Sequence, residues 1–270
     1  MGFGDVLMAA GLAEHLFMQD PSAGPVAITD LHGSPRWSDL WAGNPAITTT
    51  PHNSRSIRCG AGCLPYLNYP RPADRLSFSS TYRAQDYRGH IHLTADERAR
   101  GEDVRARYGH YVVIEPFPLD RKNSNRQWPA DNWERLVTRL QRSLSYSLVQ
   151  FDHPHVIRIP GVPAIASPTF RDACGIIASA HLLVCLEGGL AFAAAALMTP
   201  AVVLWGGCIS APVLAYPEHV NLVDDDPATP CGMLYPCDHC MTAWHKISPQ
   251  RVANEIQRAC VTPRAVYGAA

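Results

Sequence analysis

The run LLVCLEGGLAFAAAALMTPAVVLWGG, residues 182–207, constrains the fold more than any other stretch. Five apolar residues end at Glu187-Gly188-Gly189, a small-residue segment follows, and a second apolar run closes on Gly206-Gly207. Short apolar runs bounded by glycine read as buried strands, and the alanine-rich segment between them reads as a helix. A strand, a tight turn, a helix and a strand make one unit of a parallel sheet. Open sheets of that kind bind ligands beyond the carboxyl ends of their strands. Glu187, Gly188 and Gly189 fall at such an end. They offer a carboxylate, close backbone approach and a helix N-terminus to one ligand.

The alternation extends in both directions. Strands are expected at residues 25–29, 111–115, 146–151, 182–186 and 201–205, and helices at 5–18, 129–143, 170–179, 190–197 and 249–259. Thr94 with Glu97 three residues on forms a capping box for a further helix reaching Tyr108. Such alternation implies an α/β chain with doubly wound parallel sheets. Residues 43–88 carry much Pro, Ser, Asn and Arg and read as loops and short elements. A boundary is expected between Gly89 and Tyr111. A net charge of −1 without a basic cluster speaks against nucleic-acid partners. No apolar run reaches the roughly 18 residues of a membrane span. The start lacks the basic segment of a signal peptide, so the expected location is cytoplasmic, with peripheral attachment at the inner membrane face a further option.

Four segments together resemble glycosyltransferase family 9, the ADP-heptose:lipopolysaccharide heptosyltransferases and their relatives. They are Gly2-Phe3-Gly4-Asp5-Val6-Leu7, Asn125-Arg126-Gln127-Trp128-Pro129 with Trp133, Glu187-Gly188-Gly189-Leu190 with Thr199-Pro200, and the strand ending at Gly206-Gly207. The resemblance implies the GT-B architecture, two Rossmann-like domains facing across a cleft. It places an acceptor-side domain at residues 1–105, reduced at its start, and a nucleotide-sugar donor domain at 106–270 with a Cys-rich loop at 231–240. It also implies inverting transfer of a heptose or similar sugar from a nucleotide-sugar, ADP-sugars favoured, to a glycan, lipid-linked or protein hydroxyl. No cofactor is implied for catalysis. A non-catalytic nucleotide-sugar-binding protein and a sugar-nucleotide epimerase are the alternatives on the same scaffold.

Inverting transfer needs a base for the acceptor hydroxyl and cationic or dipolar groups for the departing diphosphate. Residue type alone makes Asp5 a helix cap; the resemblance makes it the base. Lys122 and Arg126 are candidates for the diphosphate, Arg126 being the one aligned with the family's basic residue; their bland reading is a solvated loop. Glu187, Gly188, Gly189 and Leu190 are the expected donor site. Trp128 is expected to pack between the domains, and Glu115 to end a strand near the cleft. Two positions depart from the family pattern: Glu187 stands where Asp is usual, and Phe192 where His is usual.

Nine cysteines, an odd number, argue against a disulfide framework. Cys231, Cys237 and Cys240 lie within ten residues, with His239 among them. That set can surround one tetrahedral ion, and zinc or iron suits thiolates. His239, His245, His219 and Cys208 are candidates for the fourth ligand. The alternative is a set of reduced thiols packed in a loop.

Overall fold

The computed structural model describes residues 2–50, 55–60, 63–68, 74–116, 125–153, 156 and 158–261. Helix α1 (Phe3–Gln19) leads to a parallel three-stranded sheet of β1 (Val26–Thr29), β2 (Ile47–Thr48) and β3 (Ser56–Arg58), in the order β2-β1-β3. Helix α2 (Ala95–Tyr108) then opens on the Thr94–Glu97 capping box, with both reciprocal bonds formed.

A second sheet follows, built from β4 (Tyr111–Glu115), α3 (Ala130–Ser143), β5 (Ser147–Asp152), β6 (Ala164–Ala166), α4 (Phe170–Ser179), β7 (Leu182–Leu186), α5 (Gly189–Ala196), β8 (Ala201–Leu204), α6 (Ala211–Leu214) and β9 (Val220–Leu222). Helices α7 (Asp238–Lys246) and α8 (Pro249–Val261) close the described chain. The strand order is β6-β5-β4-β7-β8-β9, and every pairing is parallel. The order reverses beside β4, the kind of switch point where open α/β sheets form ligand crevices.

Side chains alternate between two buried layers. Val113, Leu183, Cys185 and Val203 face the layer that holds α1, α4 and α5. Val112, Ile114, Val184 and Leu204 face the opposite layer, with Leu136, Trp244 and Ile256. Burial on both faces explains why these strands read as continuous apolar runs. Trp128 belongs to that second layer. Its Nε1 donates to the Ile247 carbonyl at 2.8 Å and its ring meets Trp133 edge-on. It therefore packs beneath the second sheet, not between the two sheets, held there by the Ile247 carbonyl and the Trp133 ring.

Small residues bring the layers together. A Cβ on Gly101 in α2 would lie 2.2 Å from the Gly175 carbonyl of α4. One on Gly189 in α5 would lie 2.9 Å from the Phe3 Cβ of α1. These contacts explain how α1, ahead of the first sheet, rests on the second. Among the described residues no helix is long and apolar enough to cross a membrane.

Candidate functional site

Apolar strands β4, β5 and β7 each end in a polar residue: Glu115, Asp152-His153 and Glu187. Parallel pairing carries all of these to one edge of the sheet. There Glu115, His153 and Glu187 border a cavity of about 460 Å³, walled by Phe151, Phe170, Leu186 and Leu190 and roofed by Phe3 from α1. Phe3 and Phe170 stack with centroids 3.9 Å apart. The cavity is thus mostly apolar with a few polar groups, the usual make-up of a small-molecule site.

Glu187 follows β7 directly, and Gly188 turns the chain with φ 147° and ψ −163°, a conformation open only to glycine. The carboxylate does not stand free. Arg126 grips it with a fork, Nη2 donating to Oε2 at 2.8 Å and Nε donating to Oε1. Burial pushes the Glu187 carboxyl up, and the guanidinium opposes that shift. Arg126 and Glu187, both expected at the donor site, are thus joined in one ion pair, of which Glu187 borders the cavity. Lys122 lies outside the described residues.

Asp5 lies in the first turn of α1. Its Oδ2 accepts from the Gly2 amide at 2.9 Å, and its Oδ1 accepts from the Tyr66 hydroxyl at 3.1 Å. The capping role read from residue type is therefore present on one oxygen, while the other is turned toward Tyr66. Burial, then the charge of Asp5, push that phenol above its ordinary value. Sequence reading had no signal for Tyr66, which lies in the loop-rich part of the chain.

A second carboxylate borders the cavity. Glu115 is 2% exposed, and its Oε1 meets His153 Nε2 at 3.1 Å. Its Oε2 is buried and has no hydrogen-bond partner among the described residues. Burial pushes the Glu115 carboxyl up and His153 works against it; the same contact raises His153. Phe192 is buried, edge-on to Tyr216 with centroids 5.6 Å apart. It fills the contact with Gly4, whose added Cβ would lie 3.3 Å from its ring.

The cysteine segment is not only a loop: Cys237 caps α7 and Cys240 lies within it. The ligand atoms of Cys231, Cys237, His239 and Cys240 all lie within 4.8 Å of one another. Cys231 Sγ is 3.2 Å from Cys240 Sγ and 3.9 Å from Cys237 Sγ. The neighbouring Cys208 thiol, then burial, push the Cys240 thiol well above its ordinary value. Crowded thiols resist ionising unless a cation shares them. His239 presents Nε2 to Thr229 Oγ1 at 3.3 Å and to Asp226 at 3.9 Å, while its buried Nδ1 has no partner. A ligating histidine whose second nitrogen faces a carboxylate is the usual arrangement at metal sites. The donor set fits a tetrahedral zinc or iron ion. His219 instead bonds the Ala191 carbonyl at 3.3 Å, and His245 is exposed. Cys208 touches the set through Cys240.

This segment is tied to Arg126. Asn125 accepts from the Cys237 amide at 2.9 Å and donates to the Met233 carbonyl at 3.0 Å. On its other side, Leu76 N donates to Gly232 O at 2.7 Å and Leu234 N to Asp74 O at 3.0 Å.

No protein-family model matches the chain, and no curated protein matches it by sequence. Solved structures do match in shape. The iron-containing dodecameric glycosyltransferase TibC of enterotoxigenic E. coli superposes with a TM-score of 0.65 at 14% identity, over 96% of this chain and 73% of TibC. A glycosyltransferase of family 9 from Veillonella parvula gives 0.67 at 14% identity, over 97% and 95%. The E. coli ADP-heptose lipopolysaccharide heptosyltransferase II gives 0.60 at 15% identity, over 96% of each. TibC in complex with ADP-D-β-D-heptose gives 0.61 at 15% identity, over 88% and 77%. With its two parallel sheets, the chain has the α/β GT-B fold of the glycosyltransferase family 9 structures.

Proposed function

We propose that the protein is an inverting glycosyltransferase that takes a heptose or similar sugar from an ADP-sugar. The observation that carries this reading is the meeting of the Asp5 turn with the Glu187-Gly188-Gly189 turn: Phe3 and Gly4 pack on Gly189 beside the cavity, Tyr66 bonds Asp5, and Arg126 bonds Glu187. The family 9 fold and the ADP-sugar bound by TibC support it. Residues 1–105 form the acceptor side in this reading and 106–270 the donor side.

Asp5 takes the proton of an acceptor hydroxyl, whose oxygen attacks the anomeric carbon opposite the diphosphate. The bond from that carbon to the phosphate oxygen breaks, and the diphosphate leaves with the electron pair. Arg126 and the amides of Gly188, Gly189 and Leu190 balance the charge it carries away. The acceptor is a glycan, lipid-linked or protein hydroxyl, and the reaction would take place in the cytoplasm. Cys231, Cys237, His239 and Cys240 would hold zinc or iron, which ties the segment at 231–240 in place and so fixes Asn125 and Arg126.

A non-catalytic sugar-nucleotide-binding protein is the second reading, favoured by the burial of Phe192 where the family has a polar histidine. Thermal shift with ADP-sugars and transfer assays with Asp5→Asn separate the two. The variant is expected to bind donor as the wild type does and to lose roughly 10²–10⁴-fold in transfer rate. Unchanged turnover would refute the base, and wild-type protein indifferent to every nucleotide-sugar would refute both readings.

A further inference from the structure

Asp5 is held by two groups from different parts of the chain. Its Oδ2 accepts from the Gly2 amide beside the first turn of α1, and its Oδ1 accepts from the Tyr66 hydroxyl, 61 residues away in sequence. The torsion that turns an aspartate carboxylate is broad, so one bond alone leaves the group free to swing. A second bond on the other oxygen fixes its plane. An ionised carboxylate has about four acceptor positions, so each oxygen can take a further hydroxyl while these two bonds stand.

Tyr66 is well anchored for this task. Its carbonyl accepts from the Ser79 amide at 2.8 Å, and the Asn68 amide donates to the Ser77 carbonyl at 2.8 Å. Its ring packs at the edge of the core layer that holds α1. The chemistry of the phenol also suits a base. A cation in its place would favour the charged form of the carboxylate and so weaken its pull on a proton. A neutral hydroxyl orients the group with less of that effect. Burial, then the charge of Asp5, push the phenol above its ordinary value, so at neutral pH it is a donor. Resting on the transfer reading above, we propose that Tyr66 is a positioning residue for the base, its hydroxyl setting the plane of the Asp5 carboxylate toward the acceptor hydroxyl. A general base works only within hydrogen-bond reach of its proton, and small misplacements cost rate steeply.

The test is steady-state kinetics and calorimetric donor titration of wild type, Tyr66→Phe, Asp5→Asn and the double variant. ADP-heptose is the donor, heptose-free lipopolysaccharide and a serine-rich peptide are the acceptors, and ADP release is the readout. Phenylalanine keeps the packed ring and removes only the hydroxyl. Tyr66→Phe should keep wild-type donor affinity, which also shows that it is folded, and lose roughly tenfold in kcat with the donor KM unchanged. In the Asp5→Asn background the same change should cost less than about twofold, because no base is left to orient. An unchanged or raised kcat in Tyr66→Phe overturns the positioning role and leaves the transfer reading standing. An equal loss in both backgrounds overturns it too, since Tyr66 would then act apart from Asp5. A loss of donor affinity as large as the loss of kcat/KM overturns it as a general disturbance. Wild type that releases ADP with neither acceptor overturns the transfer reading along with it.

Discussion

The Arg126–Glu187 pair offers the sharpest energetic test. Glu187→Gln keeps the shape of the side chain and removes its charge. Two charge-assisted hydrogen bonds join the native pair, with side-chain exposures of 26% for Arg126 and 6% for Glu187. Solvent therefore screens the contact weakly. Removing one partner of a buried pair costs roughly 3–5 kcal/mol, because a charge is left without compensation. The amide retains one acceptor and Arg126 can turn its wetter edge outward, which places the loss near the low end, about 3 kcal/mol. With an unfolding entropy of about 2.1 cal/mol/K per residue over 270 residues, the Tm should fall by about 5 °C. Scanning calorimetry on Glu187→Gln, Arg126→Met and the double variant reads both loss and coupling. The double variant should lose clearly less than the sum of the singles, by roughly 1 kcal/mol or more. A Glu187→Gln shift under about 1 °C, or strict additivity, would refute the buried-pair reasoning.

Three further outcomes follow from the geometry. Gly188→Ala should destabilise by about 1–3 kcal/mol from backbone strain, since its added Cβ would lie 3.7 Å from Arg126 without a clash; a urea midpoint unchanged from wild type would count against the assigned turn. His153 is raised by its contact with Glu115, so its stabilising contribution should be complete below the unfolded value of about 6.5 and vanish as pH rises through the folded value. His153→Ala should flatten stability against pH in that window, and an identical pH profile would remove the linkage. Protein purified without added metal should carry about one zinc or iron per chain by mass spectrometry, and Cys237→Ser or Cys240→Ser should lose it; less than one ion per several wild-type chains sinks the metal site.

Much of the second sheet was legible because its strands are buried on both faces. Tyr111–Ile114 and Leu182–Leu186 are unbroken apolar runs, the first closed by Glu115, and the structure gives both strands the expected limits. The capping box at Thr94 and Glu97 likewise marks where α2 starts. Two- and three-residue strands such as β2, β3, β6 and β9 carry too little periodicity to be read. Their pairing is decided by neighbours distant in sequence. The site was half legible. Charged residues closing apolar strands mark Glu115 and Glu187 as cleft residues, yet only three dimensions show Arg126 spent on Glu187 and His153 on one oxygen of Glu115. Tyr66 and α7 were hidden for different reasons. The first lies in a segment without a repeating pattern, and the nine residues of the second bury only Cys240, Ala243 and Trp244, too few to mark a helical face.

The segment around Met233 also bears on the order in which the molecule assembles. It bonds to Asp74 and Leu76 on one side and to Gly207 and Cys208 on the other, while Asn125 clasps it from a third direction. These partners come from widely separated parts of the chain. Contacts that span such lengths form after local ones, since their loop closure must first be offset. Each sheet can form from nearer neighbours, but this segment has nothing to rest on until both have done so. Its thiols are therefore among the last groups to reach their native surroundings as the chain folds.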